Sequence, residues 1–209
     1  MSVLNVLLRD DELLVAVDTL AHEASSGHET EGAKVFVVPH RNLVLAGRGS
    51  AQLLLLVYQL VLQASYTVGF TMERVMSDLG PTLDKLWPQY VAVAEQSNIP
   101  HADLSIEIVF GGWSTAQARM AASAYIKTRS DVPAEHHALV GGLASPGAPL
   151  RTWKESFAPD EILRAGVLQA QYLNAAAGKA VAGGRLLCCR LTQHSIRIDD
   201  LGPISTNAR

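Results

Sequence analysis

The chain has 209 residues, of which 48% are hydrophobic, and its mean hydropathy is +0.16. A chain of this length and hydrophobic content can bury a core of its own, so we expect one domain over residues 1–209. With 17 basic and 20 acidic residues, a net charge of −3 and no basic tract, neither a nucleic acid nor a membrane surface is expected as a partner.

Two hairpins are predicted near the start of the chain. The apolar runs 2–8 and 13–17 are separated by four charged residues, which is typical of two strands joined by a turn. The apolar runs 33–38 and 43–46 are separated by Pro39-His40-Arg41-Asn42, whose residue types favour a turn. Four strands are therefore expected first, with a polar loop over 19–32 between the two pairs.

Helices are predicted in three places. The segment 50–64 is too short and too interrupted by polar residues to span a membrane, so we expect a helix packed against a sheet and a second helix or subunit. Apolar residues at helical spacing over 72–91 predict an amphipathic helix, with a kink or a division into two pieces at Gly80-Pro81. Pro159, Asp160 and Glu161 mark the start of a third helix.

The remaining apolar runs predict strands. Those at 104–110, 119–126 and 138–143 are expected to form a second sheet, with a break at Gly111-Gly112. The chain closes with a hairpin of 186–191 and 194–198 around Thr192-Gln193.

The cysteines and histidines indicate the compartment and the absence of a metal. Cys188 and Cys189, the only cysteines, are too close for an ordinary disulfide, which favours a reducing compartment. The start also lacks the pattern of a secretory signal, so we expect a cytoplasmic protein. The adjacent His136 and His137 would point to opposite faces of a strand, and no third ligand has a recognisable spacing. We therefore expect neither a metal nor a cofactor.

Several motifs of residues 2–50 stand at a fixed spacing. Ser2 follows Met1 directly, Asp18 lies in Val-Ala-Val-Asp-Thr, Lys34 lies in Ala-Lys-Val-Phe, and the loop Leu45-Ala46-Gly47-Arg48-Gly49 follows. In these motifs the chain resembles a proteasome-type β subunit, including the related bacterial protease rings, which belong to the N-terminal-nucleophile hydrolases. Removal of Met1 would make Ser2 the first residue, and Asp18 and Lys34 would match the family's catalytic aspartate and lysine.

The resemblance implies an α+β fold, the four-layer αββα sandwich in which two antiparallel sheets lie between helical layers. Proteasome subunits usually have two helices where this chain has the segment 144–184, which has room for one good helix and a short turn around 150–156. One helix is therefore expected to be trimmed.

The resemblance also implies a mechanism. The oxygen of Ser2 would attack a carbonyl while its free α-amine, with an ordinary pKa of about 7.7 to 8.0, accepts the proton. A Lys34 ammonium would lower the pKa of the amine, and Asp18 would keep the lysine charged and oriented. Gly47 would donate its N–H to the oxyanion.

Candidate substrate-binding residues follow from the same resemblance. The backbone at the start of the 19–32 loop would line the cleft, and Leu45 would form a first pocket that favours an apolar side chain. The complete set is Leu20, Ala21, His22, Leu45, Arg48 and Gly49. The sequence departs from the family at Lys179 and Ala182, where an aspartate and a serine commonly support the active site.

The predicted function is hydrolysis of peptide bonds through Ser2 in a self-assembled ring or stacked rings. Its substrate would be a peptide or an unfolded protein, and an ATP-dependent unfoldase is a candidate partner. Two alternatives stay open. One is a non-catalytic structural or assembly subunit on the same fold, because a retained Met1 would turn the α-amine into a non-basic amide. The other is a small-molecule amidase, because this chemistry serves many acyl substrates.

Overall fold

The computed structural model describes residues 2–22, 28–99, 104–151 and 156–204, which hold twelve strands and three α-helices. The strands are β1 (Leu4–Leu8), β2 (Glu12–Asp18), β3 (Leu20–His22), β4 (Glu29–Glu31), β5 (Val35–Val38), β6 (Leu43–Gly49), β7 (Ile106–Ser114), β8 (Arg119–Lys127), β9 (Glu135–Ala138), β10 (Gly142–Ser145), β11 (Arg185–Thr192) and β12 (Ser195–Pro203). The helices are α1 (Ala51–Ser65), α2 (Met72–Gln96) and α3 (Pro159–Ala177).

The strands form three antiparallel sheets. The first sheet has the order β10-β1-β2-β11-β12, the second has the order β5-β6-β7-β8-β9, and β3 and β4 pair by themselves. Both predicted early hairpins are confirmed, because Leu8 pairs with Leu13 and Val38 pairs with Leu43. In the second turn, Asn42 adopts a left-handed conformation with φ of 53°, which asparagine tolerates better than most residues.

Three groups of buried side chains hold these elements together. One lies between the two large sheets and includes Leu4, Val15, Val17, Val44 and Val109. Another joins α1 and α2 to the second sheet and includes Leu53, Val57, Leu83, Trp87 and Phe110. The third joins α3 to the first sheet and includes Val3, Ile162, Ala165, Leu173 and Leu186. Every residue of β2 is buried, and its central residues 13–17 are apolar on both faces, because the sheet packs against the second sheet on one face and against α3 on the other.

The expected four-layer αββα sandwich is wrong. The described residues are mostly β, with twelve strands in three antiparallel sheets against three helices. Between residues 144 and 184 these residues hold one helix, α3, and a short 3-10 turn at Ala148–Leu150, so the first sheet packs against a single helix. Part of the predicted turn around 150–156 lies outside the described residues.

The predicted division of the strands between the sheets is also wrong. β7 and β8 do not form a separate sheet, because they pair with β6, and β10 crosses to the first sheet. Nor is there a break at Gly111-Gly112, since β7 runs through both residues. A Cβ on Gly111 would lie 2.6 Å from the main-chain oxygen of Ala121, so this glycine permits a close approach of strands.

The helix predictions are confirmed with one exception. α1, α2 and α3 lie where the apolar spacing predicts them, but the division of α2 into two pieces is wrong, because it is one helix of 25 residues that continues through Pro81 and Pro88. Burial of Leu79, Leu83 and Trp87 against the second sheet offsets the helical hydrogen bonds that the two prolines remove. Among the described residues, no helix combines the length and the apolar character needed to cross a bilayer.

The loop predicted over 19–32 is wrong in part. Its two ends form β3 and β4, which pair with each other, and residues 23–27 lie outside the described part of the chain. The closing hairpin is confirmed as β11 and β12, with its turn at Gln193-His194.

Candidate active site

The side chains of Ser2, Asp18 and Lys34 meet in one buried cluster. The Nζ atom of Lys34 donates hydrogen bonds of 2.8 Å to Oγ of Ser2 and 2.8 Å to Oδ1 of Asp18, and a third to the main-chain oxygen of Leu20. Asp18 is fully buried, while Ser2 and Lys34 are 3% and 6% exposed. The structure therefore places the three residues at contact distance, in a site that excludes most water.

The two large sheets supply the cluster together. Asp18 is the last residue of β2, and the pairing of Leu4 with Val17 brings the start of the chain alongside it. The N–H of Val3 donates to Oδ1 of Asp18 at 3.0 Å, which fixes the backbone next to Ser2. Lys34 directly precedes β5, so its side chain reaches Asp18 from the second sheet.

The carboxylate of Asp18 has hydrogen-bond donors on both oxygens. Oδ1 accepts from Lys34 and from the N–H of Val3, and Oδ2 accepts from the N–H of Gly183 at 3.0 Å. A buried carboxylate needs such donors because it has lost its hydration. Sequence reasoning did not identify Gly183 as a partner of Asp18, since its contribution comes from the main chain.

Burial shifts the pKa of Lys34. Desolvation lowers the pKa of its ammonium below the ordinary value of 10.5, and the charge and hydrogen bond of Asp18 partly oppose that change. Nζ of this lysine donates to Oγ of Ser2, so the hydroxyl lies against a cation that burial disfavours.

The candidate substrate-binding residues differ in their exposure. Leu20 and Ala21 are half-buried in β3 and His22 is exposed, so this strand lies beside the cluster and is partly accessible. Leu45 is only 1% exposed and packs in the core with α1 and α2, so the predicted pocket at this residue is not open in the structure. Gly49, at the end of β6, has a φ of +105°.

Arg48 contacts the cluster through a polar network that the sequence did not reveal. Its guanidinium lies 3.2 Å from Oε2 of Glu107 and donates to the main-chain oxygen of Ser2 at 3.3 Å. The same Oε2 accepts from Oγ of Ser145 at 2.6 Å. Glu107 and Ser145 come from β7 and β10 of different sheets, so no spacing in the sequence could have joined them.

The predicted oxyanion donor is already engaged. The N–H of Gly47 donates to the main-chain oxygen of Lys34 at 3.0 Å, so it is not free to bind an oxyanion in this arrangement. Lys179 and Ala182, where the sequence departs from the family pattern, differ in exposure. Lys179 is exposed, whereas Ala182 is buried next to Gly183. Met1 lies outside the described residues.

Cys188 and Cys189 are buried strand residues, as predicted, and are free thiols. Burial raises the pKa of the Cys188 thiol to about 11 and that of the Cys189 thiol to about 12, so neither is a ready nucleophile. Across the described ranges, no three His, Cys, Asp or Glu side chains come together in a way that could hold a metal ion.

Comparisons with known proteins bear on the fold. No protein-family model matches the chain, and no curated protein matches its sequence. One similar solved structure is Anbu (ancestral beta-subunit) from Yersinia bercovieri, with a TM-score of 0.65, 12% identity, and coverage of 97% of this chain and 87% of that chain. The chain is similar in fold to Anbu.

A second Anbu structure gives the same result. It is the helical assembly of the Anbu complex from Pseudomonas aeruginosa, with a TM-score of 0.64, 15% identity, and coverage of 99% of this chain and 88% of that chain. These findings correct the assignment to the proteasome β subunits and the related bacterial protease rings. That assignment has no support from a family model, and the structural similarity is to Anbu, at identities that show the fold alone.

Proposed function

We propose that this chain is an N-terminal-nucleophile hydrolase that cleaves peptide bonds through Ser2. The observation that carries the proposal is the position of Lys34 Nζ, 2.8 Å from both Ser2 Oγ and Asp18 Oδ1 in a buried site. An ammonium that contacts the hydroxyl stabilises negative charge on the attacking oxygen. A similarity of fold to Anbu is compatible with this chemistry and does not itself assign it.

The reaction takes two steps once Met1 is removed. Oγ of Ser2 attacks the substrate carbonyl and gives its proton to the free α-amine, which returns that proton to the leaving nitrogen as the C–N bond breaks. The product is an acyl ester on Ser2. Water then attacks the ester, gives a proton to the same amine, and releases a carboxylic acid as Ser2 regains its hydrogen.

Lys34, held in place by Asp18, stabilises the negative charge that develops on Oγ of Ser2 during the reaction. Lys34 donates to Oγ, so its ammonium stabilises the negative charge that develops on this oxygen as the proton passes to the α-amine. Asp18 holds the lysine by an ion pair of 2.8 Å. Both groups therefore orient and activate Ser2 while the α-amine carries the proton.

We also propose that the chain forms one domain and assembles with copies of itself in the cytoplasm. The Pseudomonas aeruginosa structure is a helical assembly of the Anbu complex. In the present chain, Leu55 of α1 is a large apolar side chain that is 49% exposed, and burial of such a side chain favours association. Unpaired thiols at Cys188 and Cys189 fit a reducing compartment.

A non-catalytic assembly subunit is the second candidate. The observation that favours it is the N–H of Gly47, which is bonded to Lys34 at 3.0 Å and leaves the predicted oxyanion without this donor. Hydrolysis through Gly47 would require this hydrogen bond to open when substrate binds.

Intact mass and covalent labelling separate the two candidates. Protein shown by mass to begin at Ser2 is treated with a peptide epoxyketone, which reacts with both the hydroxyl and the α-amine of an N-terminal serine. We expect one adduct at residue 2, its loss in Ser2→Ala with the fold retained, and no change in Ser130→Ala, which alters an exposed serine. If Met1-free protein neither forms the adduct nor cleaves a broad peptide library, the chain is a non-catalytic subunit.

A further inference from the structure

The loop between α3 and β11 carries the main-chain donor to Asp18. α3 ends at Ala177, and Gly178 reverses the chain with a φ of +64°. Five residues later, Gly183 donates its N–H to Oδ2 of Asp18 at 3.0 Å. The position of this loop therefore determines whether one side of the buried carboxylate is satisfied.

A single side chain on α3 holds that loop. Oδ1 of Asn174 accepts from the N–H of Val181 at 2.8 Å and from the N–H of Ala182 at 3.0 Å. Nδ2 of Asn174 donates to the main-chain oxygen of Ala182 at 2.9 Å. The three bonds fix both sides of the peptide units that directly precede Gly183.

We propose that Asn174 is a positioning residue for the active site, acting through Gly183 on Asp18 and through Asp18 on Lys34 and Ser2. The role in catalysis rests on the proposed function of Ser2, whereas the effect on Asp18 and Lys34 does not. Asn174 touches none of the three side chains, so its action is to fix a donor and not to react.

The composition of the loop explains why a clamp is needed. The side chains of Val181 and Ala182 are buried and apolar, so they pack but cannot orient a peptide group by hydrogen bonding. Buried main-chain groups require partners, and the carboxamide of Asn174 supplies two acceptor contacts and one donor. A small shift of an active-site group can cost up to about a hundredfold in rate, so the orientation of Gly183 matters beyond stability.

Loss of the clamp has a definite consequence at Lys34. If the N–H of Gly183 moves away from Asp18, water enters beside the carboxylate and the site becomes less desolvated. Because desolvation is what lowers the pKa of Lys34, the pKa of that lysine returns toward its ordinary value. A purely structural role for Asn174 would change the melting temperature and leave the pKa of Lys34 where it is.

Four variants test the proposal. Asn174→Ala removes all three bonds, and Asn174→Leu removes them while keeping the branched shape of the side chain and favouring the helix. Circular dichroism and the melting temperature identify which of the two keeps the fold, and the readouts are taken on that one. Asn174→Asp keeps an oxygen for the two N–H groups and serves as the conservative rescue. Gln171→Ala changes an exposed residue of the same helix and is the matched control.

Two readouts are taken on the full chain. The pKa of Lys34 is followed by the chemical shift of its side-chain carbons in a pH titration, and the rate of Ser2 acylation is measured with the epoxyketone. We expect Asn174→Ala and Asn174→Leu to raise the pKa of Lys34 and slow acylation about tenfold to a hundredfold. Asn174→Asp should restore part of both effects, and Gln171→Ala should match the unchanged chain.

The outcomes separate this proposal from the proposed function. A raised pKa of Lys34 in folded Asn174→Leu, with no acylation in any protein, would support the positioning role and reject the hydrolase. Normal acylation together with an unchanged pKa of Lys34 in folded Asn174→Ala or Asn174→Leu would overturn the positioning role and leave the hydrolase standing.

Discussion

Lys34, which precedes a strand of the second sheet, donates a 2.8 Å hydrogen bond to Oγ of Ser2, which precedes a strand of the first. The contact joins residues that are 32 positions apart in the sequence. The ammonium of Lys34 is desolvated. Within the described structure, it is the one basic side chain that is hydrogen-bonded to the Ser2 hydroxyl. The two sheets must therefore keep their relative position for the candidate site to exist.

Removal of one charge of the Lys34–Asp18 pair should lower the free energy of unfolding. Lys34→Met leaves a fully buried carboxylate without its counter-ion, so we expect the free energy of unfolding to fall by about 3 to 5 kcal/mol. Asp18→Asn combined with Lys34→Met removes both charges and should recover most of that loss of stability. Labelling of Ser2 should be absent in Lys34→Met and in the double variant, because neither has the lysine that contacts the Ser2 hydroxyl. Urea unfolding and epoxyketone labelling measure the two effects.

Lys85→Met is the control for this series, because Lys85 is exposed on α2. It should change neither stability nor labelling appreciably. Equal stability of Lys34→Met and the unchanged chain would show that the ion pair contributes nothing to folding.

Stability should rise with pH through Lys34. Its pKa is lowered in the folded protein, so between that pKa and 10.5 the unfolded chain binds more protons than the folded chain. The free energy of unfolding therefore increases with pH in that window. We expect urea titrations carried up to pH 10.5 to show an upward slope relative to the Asp18→Asn, Lys34→Met double variant as the pH approaches 10.5 from below. A downward relative slope would contradict the lowered pKa.

The two cysteines should make the free energy of unfolding decrease as the pH rises above 9. Their thiol pKa values of about 11 and about 12 exceed the ordinary value of 9.0, so the unfolded thiols ionise first. Their contribution to stability is complete below pH 9 and is lost as the pH rises through the folded values. Changing Cys188 to Ala and Cys189 to Val should flatten this loss in urea titrations and leave Ser2 labelling within a few-fold, since a larger loss would make a thiol the nucleophile.

Arg48 and Glu107 should behave as one unit. Arg48→Met and Glu107→Gln each remove the 3.2 Å pair beside the Ser2 main chain, so each should slow labelling of Ser2 by a similar factor. The double variant should be no slower than either single one, because coupled residues do not lose activity additively. Additive losses in labelling rate would assign Arg48 a separate contact with substrate.

Self-association should depend on the exposed face of α1. Leu55→Glu places a charge where an apolar side chain is 49% exposed, so we expect it to shift the assembly toward monomers. Gln171→Glu introduces the same charge at an exposed polar position of α3, away from the face of α1, and serves as the control. Sedimentation velocity at micromolar concentration measures both, and a monomeric unchanged chain would remove the proposed assembly.

The sequence by itself determined the local elements and the identity of the three clustered side chains. The hairpins of β1–β2 and β5–β6 and the three helices follow from apolar spacing and turn residues that lie close together in the chain. Ser2, Asp18 and Lys34 could be selected because their positions match a spacing known from other proteins.

Only the tertiary structure decided how these pieces combine. The pairing of β6 with β7, the crossing of β10 to the first sheet and the approach of Gly183 to Asp18 depend on contacts between residues 57 to 165 positions apart. The spacing of apolar residues indicates which face of a strand or helix a side chain occupies. The partners of main-chain hydrogen bonds depend instead on which strands are adjacent in the sheet. That choice is made by long-range packing of the two sheets, and no local pattern of residues specifies it.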